Sequence, residues 1–254
     1  MPGLKSAVLI LAFFAFGSSG ADAEANTHRV LFVGNSYTFY NSMPSMFEAL
    51  AEAHSPDQQI ETRFIGGGGA TLEKHWEVGQ ALAAIQTGAW DYVVLQGQSS
   101  FGARRPSDAK GVKQFHKYVR IFEKEIRDNG GQTVLFMTWS RQDAQDQQEH
   151  LAVAYQAIGQ ELGCKVAPVG VAWDQLRDNR ALELYDEDGS HPSVVGSYLA
   201  AMIILATISG DAPEASPGLL TGYEILWGGE IAGQKSTLCD LPEPVVRLLE
   251  TAVK

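Results

Sequence analysis

The sequence predicts an α/β fold in which helices cover both faces of a parallel β-sheet, giving three layers. Short apolar runs that end at glycine or polar residues alternate along the chain with longer stretches of helical periodicity. Successive strands joined through helices require crossover connections, which make the sheet parallel. Open sheets of this kind bind ligands at the carboxyl ends of their strands, so we expect the functional site there. The order of the strands is left open.

The first predicted strand leads directly into a polar turn. Residues 30–33 are apolar and mostly β-branched or aromatic, and Gly34 ends the run. Asn35 and Ser36 follow, and a helical pattern covers residues 43–53. This order places the Ser36 hydroxyl at the carboxyl end of a strand and at the start of a helical segment. Taken alone, the two polar residues also fit a simple helix cap.

The middle of the chain repeats the alternation. Further strands are predicted at 59–65, 91–96, 133–137 and 165–169, with helices at 71–87, 107–129 and 142–162. In the long helix that opens at Ser107, apolar residues recur every three or four positions, which is the pattern of a helix with one buried face. They are Val112, Phe115, Val119, Phe122 and Ile126.

Two helices are predicted near the carboxyl end. The segment 192–209 is almost wholly apolar, so we expect a buried helix there. Residues 241–253 fit a closing helix.

The first 25 residues have the composition of an export signal. Lys5 supplies a positive charge, residues 7–16 form an apolar run, and small residues in 21–25 offer cleavage sites. Ten apolar residues are too few to span a bilayer, and no cysteine stands at the cleavage point for a lipid anchor. We therefore expect a secreted or periplasmic protein without a membrane span, in which residues 26–254 form a single domain; the alternative is an uncleaved anchor.

The net charge and the cysteine content argue against several classes of binding partner and metal site. The net charge of −11 becomes −10 when the predicted signal, with one basic and two acidic residues, is removed. Such an acidic chain is unsuited to nucleic acid or an anionic membrane surface. The two cysteines, Cys164 and Cys239, suit either a disulfide or two free thiols in an exported protein. Spacings typical of zinc sites are absent.

A second group of polar residues precedes the apolar helix near the carboxyl end. Asp188 and His191 are three positions apart in Asp-Gly-Ser-His-Pro, close enough for the carboxylate to accept a hydrogen bond from the imidazole. That bond would orient the ring and stabilise its protonated form. With Ser36 on a strand-end turn, the chain offers a nucleophile, a base and a group that orients the base.

These motifs resemble the SGNH (GDSL-type) hydrolases: Gly-Asn-Ser at residues 34–36, a glycine turn after the second strand, and Asp-x-x-His near the carboxyl end. The resemblance covers residues 29–210. It implies a flavodoxin-like sheet and ester hydrolysis through an acyl-enzyme, with no metal or cofactor. By this resemblance Ser36 is the nucleophile, His191 the general base and Asp188 its partner.

The resemblance also implies an oxyanion hole. The family's second motif corresponds to residues 66–71, so Gly69 is the expected backbone donor beside the Ser36 N–H, with Gly68 as the alternative. A glycine run before a helix also lets backbone amides approach an anion closely. The third motif departs from the family pattern: Gln98 stands where an asparagine is expected, and Gln96 replaces a glycine. Both glutamines are candidates to line the site.

Two tryptophans are candidate substrate walls, although core packing fits each of them as well. Trp139 follows the fourth strand, and Trp76, beside His75, follows the glycine turn. The expected function is an exported serine esterase, with O-acyl groups of carbohydrates as one substrate class. The alternatives are a catalytically silent domain that binds a glycan or small anion in the same cleft, and a flavin-binding domain.

Overall fold

The computed structural model describes residues 27–98, 109–226 and 229–253. The strands are β1 (Thr27–Gly34), β2 (Gln59–Gly66), β3 (Tyr92–Gln96), β4 (Gln132–Phe136), β5 (Lys165–Ala167), β6 (Leu219–Ile225) and β7 (Ile231–Asp240). The helices are α1 (Ser36–Phe39), α2 (Met43–His54), α3 (Leu72–Val78), α4 (Gln80–Thr87), α5 (Ala109–Asp128), α6 (Gln148–Leu162), α7 (Val169–Leu176), α8 (Val194–Ser209) and α9 (Glu243–Glu250). The predicted export signal lies outside the described residues.

The first five strands form one parallel sheet in the order β2-β1-β3-β4-β5. This is the flavodoxin-like order, and it places β1 between β2 and β3, so that all three end near the Ser36 turn. Gly34 at the end of β1 is paired with Gly66 at the end of β2. The predicted parallel α/β fold is confirmed.

The sheet separates two apolar layers. Alternate residues of β1 point to opposite faces, as a strand requires: Val30 and Phe32 join the layer that contains α2, α7 and α8, and Leu31 and Val33 join the layer of α3, α4, α5 and α6. The long helix α5 buries the predicted stripe in the second layer from Phe115 to Ile126, whereas Val112 at its start is only half-buried. Three layers follow from this arrangement.

Helix α8 is buried over ten consecutive residues, from Gly196 to Leu205, as its apolar composition predicted. Among the described residues, no helix combines the length and the apolar character needed to cross a bilayer. The two cysteines are unpaired and lie in different layers, Cys164 beside the second and Cys239 in the first. A disulfide between them is therefore not part of this fold.

Some predicted boundaries are wrong for local reasons. The helix predicted at 71–87 is two helices, because Gly79 adopts a left-handed conformation, with φ of 78°, between α3 and α4. The strand predicted to reach residue 169 stops before Pro168, and α7 begins directly after it. The helix expected from residue 142 begins at Gln148 after a 3₁₀ turn. The start predicted at Ser107 lies outside the described residues.

The antiparallel hairpin of β6 and β7 was not predicted. It packs against the start of α2, where the Ser42 hydroxyl accepts a hydrogen bond from the Ile225 N–H at 2.9 Å and Ser45 Oγ donates to the Tyr223 carbonyl at 2.6 Å. The hairpin is thus attached to the helix that follows the Ser36 turn.

Candidate active site

Ser36 is the first residue of α1, the single helical turn that follows β1. Asn35 caps this turn: its side-chain oxygen accepts from the Tyr37 N–H at 3.1 Å, and its carbonyl accepts from the N–H groups of Thr38 and Phe39. The cap prediction for Asn35 is therefore confirmed. Among the described residues no acceptor contacts the Ser36 N–H, and Ser36 is largely buried, with 7% of the residue exposed.

The turn is tight because neighbouring groups occupy the space beside Gly34. A Cβ at this position would collide with the Thr38 hydroxyl and the Gln96 side chain, so glycine is required by close approach. His75 Nε2 lies 2.8 Å from the Gly34 carbonyl. Burial lowers the pKa of His75, so its ring is neutral at pH 7 and donates this hydrogen bond from Nε2–H.

The loop before α8 brings a carboxylate and an imidazole to Ser36. One oxygen of Asp188, Oδ1, accepts from the backbone N–H groups of Ser190 and His191 at 2.9 and 2.8 Å. The other, Oδ2, lies 2.5 Å from His191 Nδ1. His191 Nε2 lies 2.8 Å from Ser36 Oγ. The three side chains thus form one hydrogen-bonded line across 155 residues of sequence separation.

The environment of Asp188 favours its charged form. Partial burial opposes ionisation, but the hydrogen bonds from the His191 ring and from two backbone N–H groups outweigh it and hold the pKa of the carboxyl below its usual range. A carboxylate in this position stabilises a positive charge on the His191 ring. The arrangement can remove a proton from Ser36 and store it on His191.

Further contacts join the Ser36 segment to the His191 segment. The Tyr37 hydroxyl lies 2.6 Å from Ser190 Oγ. Asn41 Nδ2 donates to the Pro192 carbonyl at 3.0 Å and to Ser197 Oγ at 2.9 Å. These bonds reach residues before and after His191 in the sequence. They therefore help to fix the Ser36 hydroxyl relative to the His191 imidazole, in addition to the hydrogen bond between the two side chains.

The backbone is strained where the Ser36 segment contacts the His191 segment. Asn41 and Ser42 adopt the left-handed conformation, with φ of 52° and 56°, which is unfavourable by about 1–2 kcal/mol for each non-glycine residue. Such strain persists only where surrounding contacts hold it, and it is concentrated at functional sites. The Asn41 side-chain bonds to Pro192 and Ser197 are contacts of that kind.

Two predicted substrate-binding residues are corrected: Trp139, a candidate wall, and Gln96, a candidate to line the site. Trp139 is 1% exposed, with its ring stacked between Tyr37 at 4.8 Å and Trp173 at 3.9 Å, and its Nε1–H donates to the Ser190 carbonyl. Gln96 has no exposed surface. Neither side chain is accessible to a ligand, so both are buried residues that hold the surrounding segments in place.

The other predicted residues surround the strand ends. Gly69 is exposed in the glycine turn, with φ of 67°, and the Ala70 carbonyl beside it accepts from the Asn35 side chain at 3.0 Å. Gln98 is half-buried just beyond β3, directly before residues 99–108, which lie outside the description. Trp76 is half-buried and packs edge-on against Phe122 at 5.5 Å. The oxyanion roles of Gly69 and Gln98 and the substrate role of Trp76 stay predictions.

The sequence analysis missed Tyr40, whose ring stacks on His191 with centroids 4.2 Å apart. It also missed Asn41, which bonds to the His191 segment. Both follow Ser36 within five residues, and an asparagine directly after an aromatic residue was the available signal, since asparagine tolerates left-handed turns. Within the described residues, no group of three or more His, Cys, Asp and Glu side chains is placed to hold a metal ion.

Comparison with known proteins gives structural relatives only. A protein from Slackia heliotrinireducens, provisionally assigned to the SGNH hydrolases, shares 28% identity at a TM-score of 0.59, covering 72% of this chain and 100% of its own. The acetylxylan esterase Axe2 from Geobacillus stearothermophilus shares 17% sequence identity at a TM-score of 0.56, and the match covers 76% of this chain and 99% of Axe2. TesA shares 13% sequence identity at a TM-score of 0.56, and the match covers 72% of this chain and 99% of TesA. At these lower identities, Axe2 and TesA show the shared fold. No protein-family model and no curated protein sequence matches the chain.

Proposed function

The chain belongs to the SGNH/GDSL-type hydrolases, and on that premise we propose that it is a serine ester hydrolase that uses Ser36, His191 and Asp188. The observation that carries the proposal is the continuous hydrogen-bonded line, 2.8 Å from Ser36 Oγ to His191 Nε2 and 2.5 Å from His191 Nδ1 to Asp188 Oδ2. Distances of this size allow direct proton transfer between nucleophile and base.

The proposed reaction has two halves. Ser36 Oγ attacks the ester carbonyl carbon while its proton passes to His191 Nε2, and Asp188 stabilises the imidazolium that forms. When the tetrahedral intermediate collapses, the bond from carbon to the alcohol oxygen breaks, and His191 returns the proton to the departing alcohol. Water then repeats the attack on the acyl-enzyme, with His191 as base, and releases the carboxylic acid and the free serine.

The negative charge on the carbonyl oxygen needs donors. We assign the N–H groups of Ser36 and Gly69 to this role, with the Gln98 side chain as a third donor. The support for Ser36 is that the cap formed by Asn35 uses the next three N–H groups of α1 and leaves the first without an acceptor among the described residues. An open glycine turn exposes backbone amides in the same way.

The proposed substrates are O-acyl groups of carbohydrates, acetyl groups in particular. The support is the fold shared with an acetylxylan esterase and the export signal predicted at residues 1–25, which would bring a secreted or periplasmic enzyme to extracellular glycans. The alternative is a catalytically silent domain that binds a glycan or small anion in the same cleft. The complete hydrogen-bonded line favours the enzyme, because a binding site has no need of a base on its serine.

Hydrolysis of p-nitrophenyl acetate by the wild type and Ser36→Ala tests the proposal. We expect kcat to fall by about 10⁴ or more in the variant, because the covalent route is lost. Ser236→Ala, on β7, is the matched control and should leave the rate unchanged. A fluorophosphonate should label the peptide that contains Ser36. Equal rates for wild type and Ser36→Ala, or labelling at another serine, would contradict the proposal.

A further inference from the structure

Tyr40 lies flat against the imidazole of His191. The ring centroids are 4.2 Å apart and the ring planes differ by 12°. The Tyr40 N–H donates to the Ser36 carbonyl, so this residue closes the helical turn that begins at the serine. One turn of helix thus presents both a hydroxyl and an aromatic face to the same imidazole. We propose that Tyr40 is a positioning residue for ester hydrolysis, which holds the plane of the His191 ring; this inference rests on the function proposed above.

The stack supplies a restraint that the hydrogen bonds of His191 lack. Bonds to Asp188 at Nδ1 and to Ser36 at Nε2 both lie near the plane of the imidazole and direct its two nitrogens. They resist rocking of the ring about the line through those nitrogens only weakly, because hydrogen bonds tolerate moderate angular change. A parallel aromatic ring at van der Waals distance resists that motion directly. Tyr37 adds an edge-on contact at 5.6 Å.

The stack also favours the charged intermediate. His191 carries a positive charge while it holds the serine proton, and the face of an aromatic ring attracts a cation. Burial, and then the carboxylates of Asp188 and Asp186, raise the pKa of the Tyr40 hydroxyl above its usual value. The phenol therefore stays uncharged at working pH, and an uncharged ring keeps the face that attracts the imidazolium.

Tyr40 is held in place from the His191 side of the site. Its carbonyl accepts from Ser197 Oγ at 3.3 Å. The next residue, Asn41, bonds through its side chain to the Pro192 carbonyl and to Ser197. Because the anchors belong to the segment that carries His191, the aromatic ring and the imidazole are fixed relative to the same backbone.

The test compares substitutions that keep or remove the ring. Tyr40→Leu removes the aromatic face, and we expect kcat for p-nitrophenyl acetate to fall about 3- to 30-fold, the range for losing one cation–π contact. KM should stay within twofold, since the ring acts on the base and does not bind the substrate. Tyr40→Phe keeps the stack, so its kcat should stay within twofold of wild type. Tyr223→Leu makes the same change on the exposed hairpin and should have no effect.

Each outcome decides the inference. A Tyr40→Leu enzyme with kcat within twofold of wild type overturns it, even if its melting temperature is lower, because that pattern is purely structural. A Tyr40→Phe enzyme that loses as much as Tyr40→Leu also overturns it, since the hydroxyl would then be responsible. If Tyr40→Leu does not fold, Tyr40→Met is judged by the same limits. Full activity of Ser36→Ala would instead reject the proposed function itself.

Discussion

The side-chain oxygen of Gln96 accepts a hydrogen bond from the Asn35 N–H at 2.8 Å, which joins the end of β3 to the residue before Ser36. The same oxygen accepts from Thr38 Oγ1 at 3.0 Å. Gln96 has no exposed surface, and both of its donors are buried as well. The neighbouring strand therefore holds both ends of the Ser36 turn, and the position of the candidate nucleophile depends on a residue that no ligand can touch.

Gln96→Leu should weaken the fold and the activity together. The substitution leaves the Asn35 N–H and the Thr38 hydroxyl without their acceptor, and each buried unsatisfied group costs about 1–3 kcal/mol. We expect a loss of about 2 kcal/mol or more in the free energy of unfolding, or about 4–8 °C in melting temperature. Gln86→Leu, on the exposed side of α4, is the control and should be nearly neutral. Unchanged stability of Gln96→Leu would remove Gln96 from its supporting role.

The different fates of Gln96 and Ser36 show what the sequence can predict. Ser36, Asp188 and His191 were singled out from local pattern, a serine after a strand and a carboxylate three residues from an imidazole before a helix, and the family resemblance implied their roles. The structure brings the three side chains into one hydrogen-bonded line, and their catalytic roles stay a proposal. The burial of Gln96 and Trp139 depends on packing against distant segments, which local pattern does not contain. A residue near a strand end can be buried beneath the site or exposed to the ligand. The local sequence pattern does not distinguish these two positions.

The fold was predicted to the extent that hydrophobic periodicity determined it. Four of the five sheet strands, β1, β3, β4 and β5, were found because each contains a short apolar run. The strand β2 was also predicted, although Glu61, Thr62 and Arg63 interrupt its apolar residues. The hairpin of β6 and β7 was missed because its strands are largely exposed: Leu219, Tyr223 and Ile231 face solvent, and polar residues lie between them. Strand order was not predicted at all from the residues, because crossover length does not say which neighbour a strand joins.

Asp188→Asn should reduce kcat while the chain stays folded. The amide keeps the shape of the carboxylate, but it no longer stabilises the imidazolium and disturbs the tautomer of His191. We expect kcat to fall by roughly 10³–10⁴, the loss known for serine triads whose aspartate is changed to asparagine. Asp186→Asn makes the same change two residues earlier in the loop and should stay within threefold of wild type. Steady-state kinetics on the two folded proteins measures the difference, and full activity of Asp188→Asn would exclude Asp188 from the proposed triad.

The lowered pKa of Asp188 predicts how stability depends on pH. The folded state binds a proton at Asp188 less readily than the unfolded chain does, so the ionised carboxylate stabilises the fold at every pH above its unfolded pKa of about 4. That contribution to stability is lost as the pH falls through the lower pKa that Asp188 has in the folded state. Urea unfolding of wild type and Asp188→Asn from pH 7 to pH 3 should show a stability difference that shrinks in acid. A difference that grows in acid would contradict the assignment.

Cys164 and Cys239 should both titrate as thiols. They occupy different layers of the fold, and burial raises the pKa of each thiol to about 11, which makes both unreactive while the chain is folded. We expect two thiols per chain in denatured, unreduced protein, and slow reaction with the same reagent in native protein. One or no thiol in the denatured sample would show that the cysteines are oxidised.

The remaining prediction concerns Gln98, where this chain departs from the family pattern. In ester hydrolysis the carbonyl oxygen becomes negative in the transition state, and one donor aimed at it is worth about 3–4 kcal/mol. If Gln98 supplies such a donor, Gln98→Ala should lower kcat by roughly 10²–10³ with KM nearly unchanged, because the bond forms mainly in the transition state. Gln98 and Gln114 line one small cavity between the end of β3 and α5. Gln114→Ala is therefore a suitable control, since the Gln114 side chain bonds to Glu73 instead. If Gln98 only caps a loop, Gln98→Ala lowers stability and leaves kcat within threefold of wild type, which would end the donor hypothesis.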